Sequence, residues 1–227
     1  MHIRPDPLVL QVNLNHSARA QDLLCQTMAE WEIDVAVVAE PYFVPPRGNW
    51  AGDQISTVAI VASAAGPSLV VKERGAGYIM AGWGEFTLVG VYFSPNLALA
   101  RFEAFLETLE RAVRRAAPTP VLLAGDLNAK SAAWGSPVAN SRGPMLVDWA
   151  AALGLCVLNR GQTHTCVRRN GGSIVDVTFA TPSLAARVSG WEVLEDADEG
   201  LHNAAREDIH HGPGGGIPPM GTHPPGL

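Results

Sequence analysis

Four apolar, strand-like runs in this 227-residue chain each carry an acid or an amide at or near one end, and no other feature constrains the fold as much. Leu8 to Asn13 closes on Asn13. A Val-rich run from Asp34 to Ala39 leads into Glu40-Pro41, and Val121 to Ala124 leads into Gly125-Asp126-Leu127-Asn128. Asp176 lies within the run from Ser173 to Phe179. An unpaired carboxylate in an apolar strand costs several kcal/mol unless it meets a cation or a donor. The four positions are therefore expected to meet at one rim of a layered α/β fold, where strand ends build sites.

The remaining pattern gives the layers. His16 to Glu30 has apolar residues at three- and four-residue steps and predicts a helix after the first strand. Tyr42 to Gln54 reads as loop. Ile55 to Ala62, Ser68 to Glu73, Tyr78 to Ala81 and Glu85 to Phe93 read as strands separated by Gly-containing turns, an antiparallel meander. A second helix is predicted from Leu97 to Ala117, with Phe102, Phe105, Leu106, Leu109 and Val113 on one stripe, and a third from Pro144 to Leu153, closed by Gly154. Strands are expected at Cys156 to Asn159, Thr163 to Val167, Ser173 to Phe179 and Trp191 to Leu194. This order predicts an α/β sandwich of two sheets with helices outside and no second domain. Composition changes after about Asp198, and Gly212 to Leu227 is mostly Gly and Pro. Residues 199–227 are expected to form a disordered tail outside a domain of residues 1–198, as in a truncated or frame-shifted reading.

Charge and cysteine content narrow the chemistry. Sixteen Lys and Arg against 22 Asp and Glu leave a net charge of -6, which excludes a protein held on nucleic acid by bulk positive charge. Any such contact must be local, and the basic residues are nearly all arginine, suited to bidentate phosphate or guanine contacts. Cys25, Cys156 and Cys166 lie far apart, with no disulfide framework or zinc spacing. The first residues lack the apolar stretch of a secretory signal, and no apolar run approaches the roughly 18 to 20 residues that span a bilayer. A chain of the nucleus or cytoplasm, neither secreted nor membrane-bound, is expected.

Carboxylates and amides without Cys or His ligands favour a hard divalent ion, and Mg²⁺ held by one or two carboxylates with water is the usual arrangement for phosphate-ester chemistry. Gly125-Asp126-Leu127-Asn128 is the most specific element. Glycine permits close backbone approach, and the i, i+2 spacing puts acid and amide on one side of an extended chain. Taken singly, Asn13 also fits a turn former, Glu40 a strand-end acid paired with an arginine, and Asp176 a buried structural acid. Tyr92 fits either a core aromatic or a phosphate donor. His16 and His164 read as surface or capping residues.

In order, Gln11-Val12-Asn13-Leu14-Asn15, Val38-Ala39-Glu40-Pro41, Val91-Tyr92-Phe93-Ser94-Pro95, Leu123 to Ala129 and Gly172-Ser173-Ile174-Val175-Asp176 resemble the successive motifs of the endonuclease/exonuclease/phosphatase superfamily over about residues 8 to 196. Gly-Asp-Leu-Asn-Ala-Lys with Ser131, Trp134, Gly135 and Asn140-Ser141-Arg142-Gly143 is most similar to the apurinic-type endonuclease domain of non-LTR, LINE-like retrotransposons, in particular the clade inserting into ribosomal RNA genes. The resemblance implies a four-layered α/β sandwich, two mixed and mainly antiparallel sheets flanked by helices. It implies a Mg²⁺- or Mn²⁺-dependent nuclease that nicks double-stranded DNA to leave a 3′-hydroxyl, with the reverse transcriptase region of a parent polyprotein as a further partner. On this resemblance Glu40 holds the metal with Asn13 beside it, and Asp126 orients and deprotonates the attacking water. Asn128 binds the phosphate or positions that acid, Tyr92 donates to a phosphate oxygen, Thr165 contacts the DNA backbone, and Asp176 fixes a catalytic histidine.

The chain departs from the pattern in one place. Family members carry a Ser-Asp-His before a last core strand, and no Ser-Asp-His occurs in this sequence. Asp208 and His210 supply the residue types, but no apolar strand follows them. An endonuclease impaired by this loss is expected, the alternative being a catalytically inactive DNA- or protein-binding remnant of a retrotransposon reading frame. Inositol-phosphate hydrolysis is a third, more distant reading.

Overall fold

The computed structural model describes residues 7–161, 163–168, 171–194 and 205–210. Its first half contains β1 (Leu8–Asn13), α1 (Ala18–Glu30), β2 (Val35–Ala39), β3 (Trp50–Gly52), β4 (Val58–Ala62), β5 (Val70–Gly75), β6 (Tyr78–Trp83), β7 (Phe86–Tyr92) and α2 (Leu99–Ala116). The second half contains β8 (Val121–Asp126), α3 (Arg142–Ala152), β9 (Cys156–Val157), β10 (Cys166–Arg168), β11 (Gly171–Ser173), β12 (Asp176–Ala180), α4 (Pro182–Ala185), β13 (Val188–Val193) and β14 (Ala205–Ile209). One six-stranded sheet has the order β13-β14-β1-β2-β4-β3, the other β5-β6-β7-β8-β12-β9, and β10-β11 forms a separate hairpin.

Strand alternation explains the layering. In β1, Leu8, Leu10 and Val12 pack outward on Leu24 and Met28 of α1, while Val9 joins the cluster between the sheets. In β8, Val121 and Leu123 face Phe102 and Leu109 of α2, while Leu122 and Ala124 face the first sheet. The result is α1, sheet, sheet, then α2 with α3: the four-layered α/β sandwich expected from the sequence. Ser17 caps α1, its Oγ accepting from the Ala20 amide at 3.2 Å. No helix among the described residues is long and apolar enough to cross a membrane.

Several expected boundaries move. Trp50–Gly52, inside the expected loop, pairs with β4 as an edge strand. The expected strand from Ser173 to Phe179 divides into β11 and β12, because the Val175 and Asp176 amides bond the Thr165 hydroxyl instead of a neighbouring strand. Helix α3 begins two residues before Pro144, which the first turn of a helix accommodates.

The largest difference lies after Asp198. Ala205–Ile209 was expected to be tail, yet it pairs antiparallel with both β1 and β13, in the interior of the first sheet. A strand with a partner on each side draws its stability from two hydrogen-bond ladders, so a five-residue segment with few apolar residues can occupy it. The remaining residues of the expected tail lie outside the described residues.

Candidate active site

The inward alternation that builds the core between the sheets also delivers the polar groups. Tyr92 continues the inward face of β7, Asp126 that of β8, Asp176 that of β12 and Asn13 that of β1. Register brings them level, Asp126 lying opposite both Tyr92 and Asp176. The four reach the mouth of the gap between the sheets. Glu40 follows the inward-facing Ala39, so strict alternation would turn it away. Its backbone instead takes φ 47°, a left-handed conformation, and its carboxylate meets the cluster. Asn15, His16 and Asn128 on the same rim share positive φ. Such residues cost about 1–3 kcal/mol each and gather at functional sites.

One amide ties the carboxylates together. Asn13 Nδ2 donates to Glu40 Oε2 at 3.0 Å and to Asp126 Oδ2 at 3.0 Å. The Tyr92 hydroxyl donates to Glu40 Oε1 at 2.6 Å. The Asn128 backbone amide donates to Asp126 Oδ1 at 2.9 Å, and its side chain donates to the Phe93 carbonyl at 3.2 Å. All of the expected residues except Thr165 therefore line one cluster.

Burial sets the electrostatics. Asp126 is raised well above the usual carboxylate range by desolvation, with the charges of Asp176 and Glu40 adding to it against the hydrogen bonds of Asn128 and Asn13. Asp176, 1% exposed, is pushed up to about 6 by desolvation, with Thr165 and Gln11 pulling the other way. Its Oδ1 accepts from Gln11 Nε2 at 3.2 Å, while its Oδ2 is buried with no hydrogen-bond partner among the described residues. Burial and the Glu40 carboxylate raise the Tyr92 phenol, so it stays protonated as a donor at neutral pH.

Thr165 departs from expectation, whereas Asp208 and His210 do not complete the motif and His16 is exposed, as expected. Thr165 is fully buried, its hydroxyl accepting from the Val175 and Asp176 amides at 3.1 and 3.3 Å, so it braces Asp176 from behind and has no surface for DNA. Asp208 lies opposite Leu8, and the His210 amide donates to the Arg187 carbonyl. Five residues of extended chain, roughly 17 Å, separate that end of β1 from Asn13, so neither Asp208 nor His210 replaces the missing motif. Exposed His16, read as a surface residue, places Nε2 3.6 Å from Glu40 Oε1 and Nδ1 3.2 Å from the Pro41 carbonyl. The sequence reading also passed over Gln11, whose signal is a polar residue two positions before Asn13 and therefore on the same face.

The retrotransposon-like segments act as supports. Gly125 has φ 150°, and a Cβ there would lie 1.8 Å from the Val91 carbonyl oxygen, so only glycine lets β8 run this close to β7. Asn140 ties the loop after Asp126 to α3. Its Oδ1 accepts from the Lys130 and Gly143 amides and its Nδ2 donates to the Asn128 carbonyl. Arg142 Nη2 donates to the carbonyls of Ser94, Pro95 and Leu97, with its guanidinium over the Phe93 and Phe102 rings.

Among the described residues no group of three or more His, Cys, Asp or Glu is arranged to hold a metal ion. Mg²⁺ requires less, one or two carboxylates with water completing its shell. Glu40, Asp126 and Asp176 also form no ion pair with Lys or Arg among the described residues, and Asp176 Oδ2 is orphaned. This negative, oxygen-only donor set, with Glu40 at its more open edge, fits a hard dication.

Comparisons with known proteins agree with the architecture. A search of curated protein sequences returns no match. Among solved structures, the endonuclease domain of TRAS1, a telomere-specific non-LTR retrotransposon, superposes with a TM-score of 0.80 at 30% identity, over 89% of this chain and 98% of that one. The 3′-5′ exonuclease of Neisseria meningitidis (TM-score 0.66, 18% identity, 90% of this chain and 100% of that one) and an AP endonuclease from Archaeoglobus fulgidus (0.71, 12%, 90% and 99%) share the fold. The family model described as endonuclease-reverse transcriptase matches residues 86–200, just over half the chain. With the motifs of its first 85 residues meeting those of the matched segment in one cluster, the chain belongs to the endonuclease-reverse transcriptase family.

Proposed function

We propose that this domain is a Mg²⁺-dependent DNA endonuclease that hydrolyses one phosphodiester of a duplex and leaves a 3′-hydroxyl, a primer end for reverse transcription. The observation that carries the reading is the Asn13 amide, 3.0 Å from both Glu40 and Asp126, at the open end of a sandwich whose family and 30% relative are endonucleases. That relative is telomere-specific, so affinity for ribosomal genes rests on the sequence reading alone.

Glu40, with Asn13 beside it, is the candidate ligand for a Mg²⁺ ion, which supplies charge neutralisation for the phosphate when bound. Asp126 accepts a proton from water as the water oxygen bonds phosphorus and the bond to the 3′ oxygen breaks, the departing 3′ oxygen taking a proton from solvent to become the hydroxyl. Burial and the neighbouring acids raise the Asp126 pKa above the usual carboxylate range, which makes it a stronger base than an exposed carboxylate. Asn128 orients Asp126 through its backbone amide, and its side chain is the nearby donor for a phosphate oxygen. The Tyr92 hydroxyl is a second donor, able to turn from Glu40 to the phosphate. Thr165 and Gln11 hold Asp176.

Turnover is reduced, because this sequence contains no Ser-Asp-His to supply the histidine that Asp176 would orient. Losing one member of a unit that acts together removes several powers of ten in rate. The same absence favours a second reading, a DNA-binding module without turnover. Supercoiled plasmid with Mg²⁺ separates the two. Conversion to open circles by the wild type but not by Glu40→Ala supports the endonuclease, and retained DNA binding without nicking supports the module.

A further inference from the structure

Beside the catalytic cluster runs a trough of about 550 Å³ that none of the proposed catalytic steps uses, within the size range of small-ligand sites. Its floor is Tyr78, Tyr92 and Phe105, so the tyrosine whose hydroxyl bonds Glu40 is also a wall of the trough. Its jaws are Ile55 and Leu97, large apolar side chains left 59% and 45% exposed. Arg101 stands at the edge on the exposed face of α2, and its guanidinium makes no hydrogen bond or ion pair among the described residues.

The trough is preformed. Buried Asp53 accepts from the Thr57 amide and hydroxyl, the Val58 amide and the Gly77 amide, which fastens the wall carrying Ile55 to the turn before Tyr78. Gln54 adds a bond from its amide to the Gly75 carbonyl and one from its side chain to the Arg74 carbonyl. A slot with an aromatic floor, apolar jaws and two arginines that no acid pairs among the described residues, Arg101 at its edge and Arg74 in its wall with a bond to the Gly52 carbonyl, beside the proposed phosphate site, matches a nucleotide: a flat base inside and an anionic phosphate at the edge. A chain of net charge -6 must also draw DNA affinity from such local contacts.

We propose that this trough is a nucleobase subsite, taking one unstacked base of the strand beside the scissile phosphate while Arg101 pairs with a backbone phosphate. The inference rests on the endonuclease reading and extends it to substrate selection: the domain favours steps whose base leaves the stack easily.

The test uses duplex oligonucleotides carrying 2-aminopurine at successive positions, bound to the Asp126→Asn protein so that no strand is cut. Fluorescence is expected to rise at one position as that base unstacks. Ala104→Trp fills the trough from an exposed helix position, and is expected to abolish the rise and weaken binding about tenfold. In the active chain the same substitution raises KM about tenfold with kcat unchanged. Arg101→Ala, a surface change on the exposed face of α2, is expected to weaken binding about threefold and to lower the slope of its salt dependence by about one, and an unchanged slope overturns the phosphate contact. Nicking by a wild type that leaves every 2-aminopurine stacked overturns the trough and spares the endonuclease, as does Ala104→Trp binding like its parent with an unchanged melting temperature. Unstacking without nicking by the wild type overturns the endonuclease reading alone, and absence of DNA binding overturns both.

Discussion

Two regions of this molecule bury aspartates to nearly the same depth and treat them in opposite ways. Asp53, 7% exposed, receives four hydrogen bonds at 2.7 to 3.3 Å from Thr57, Val58 and Gly77, enough to offset the desolvation of its carboxylate. Asp126 and Asp176, 5% and 1% exposed, lie opposite each other across two paired strands, with Glu40 close by. Desolvation raises both, and among the described residues one Asp176 oxygen has no hydrogen-bond partner. A buried acid whose donors are complete is a structural bolt. One that is left short, among others of like charge, is poised for a proton or a cation.

The sharpest break between the two regions is expected at Asp126. Asp126→Asn should lower plasmid nicking by about a thousandfold or more while raising the melting temperature at pH 7, since it removes a desolvated charge and keeps the shape. Tyr92→Phe comes next, with a loss of about a hundredfold in nicking rate and little change in melting, because one phosphate donor is removed and the ring remains packed. Asp53→Ala should do the reverse of Asp126→Asn. Urea denaturation is expected to show a loss of about 2–4 kcal/mol from the stranded donors, with kcat per folded molecule unchanged.

The smallest effect separates the acids by pH. An unfolded Asp176 loses its proton near 3.8, and the folded one keeps it to about 6, so between those values the native state binds more protons. Stability in metal-free buffer should therefore fall as pH rises from about 4 to about 6 through Asp176, with the raised Asp126 adding its own fall. Asp176→Asn should flatten that fall, a difference of roughly 1–3 kcal/mol seen by denaturation at pH 4 and pH 7. An unchanged profile would place Asp176 with Asp53 among the structural bolts.

Much of this contrast was legible in the sequence, because strand alternation is local. Asn13, Asp126 and Asp176 sit where a period of two carries an inward face to its end, and Gly125 announced the close approach that its would-be Cβ confirms. Glu40 was legible as a strand-end acid, though not its left-handed turn inward. Arg142 and Asn140 stood out as a motif, yet their task of clamping the Ser94–Leu97 carbonyls and the loop after Asp126 depends on contacts between segments up to 48 residues apart. Thr165 was misread for the same reason: its hydroxyl is consumed by backbone amides that only the folded hairpin brings near. β14 was missed because pairing with β1 and β13, rather than its own composition, makes it a strand.

Isothermal titration of the metal-free chain with Mn²⁺ bears most directly on whether the poised acids form a cation site. Uptake of one ion by the wild type, lost in Glu40→Ala and retained in Asp53→Asn, is the predicted result. Heat that is absent from the wild type, or unaltered in Glu40→Ala, would contradict it.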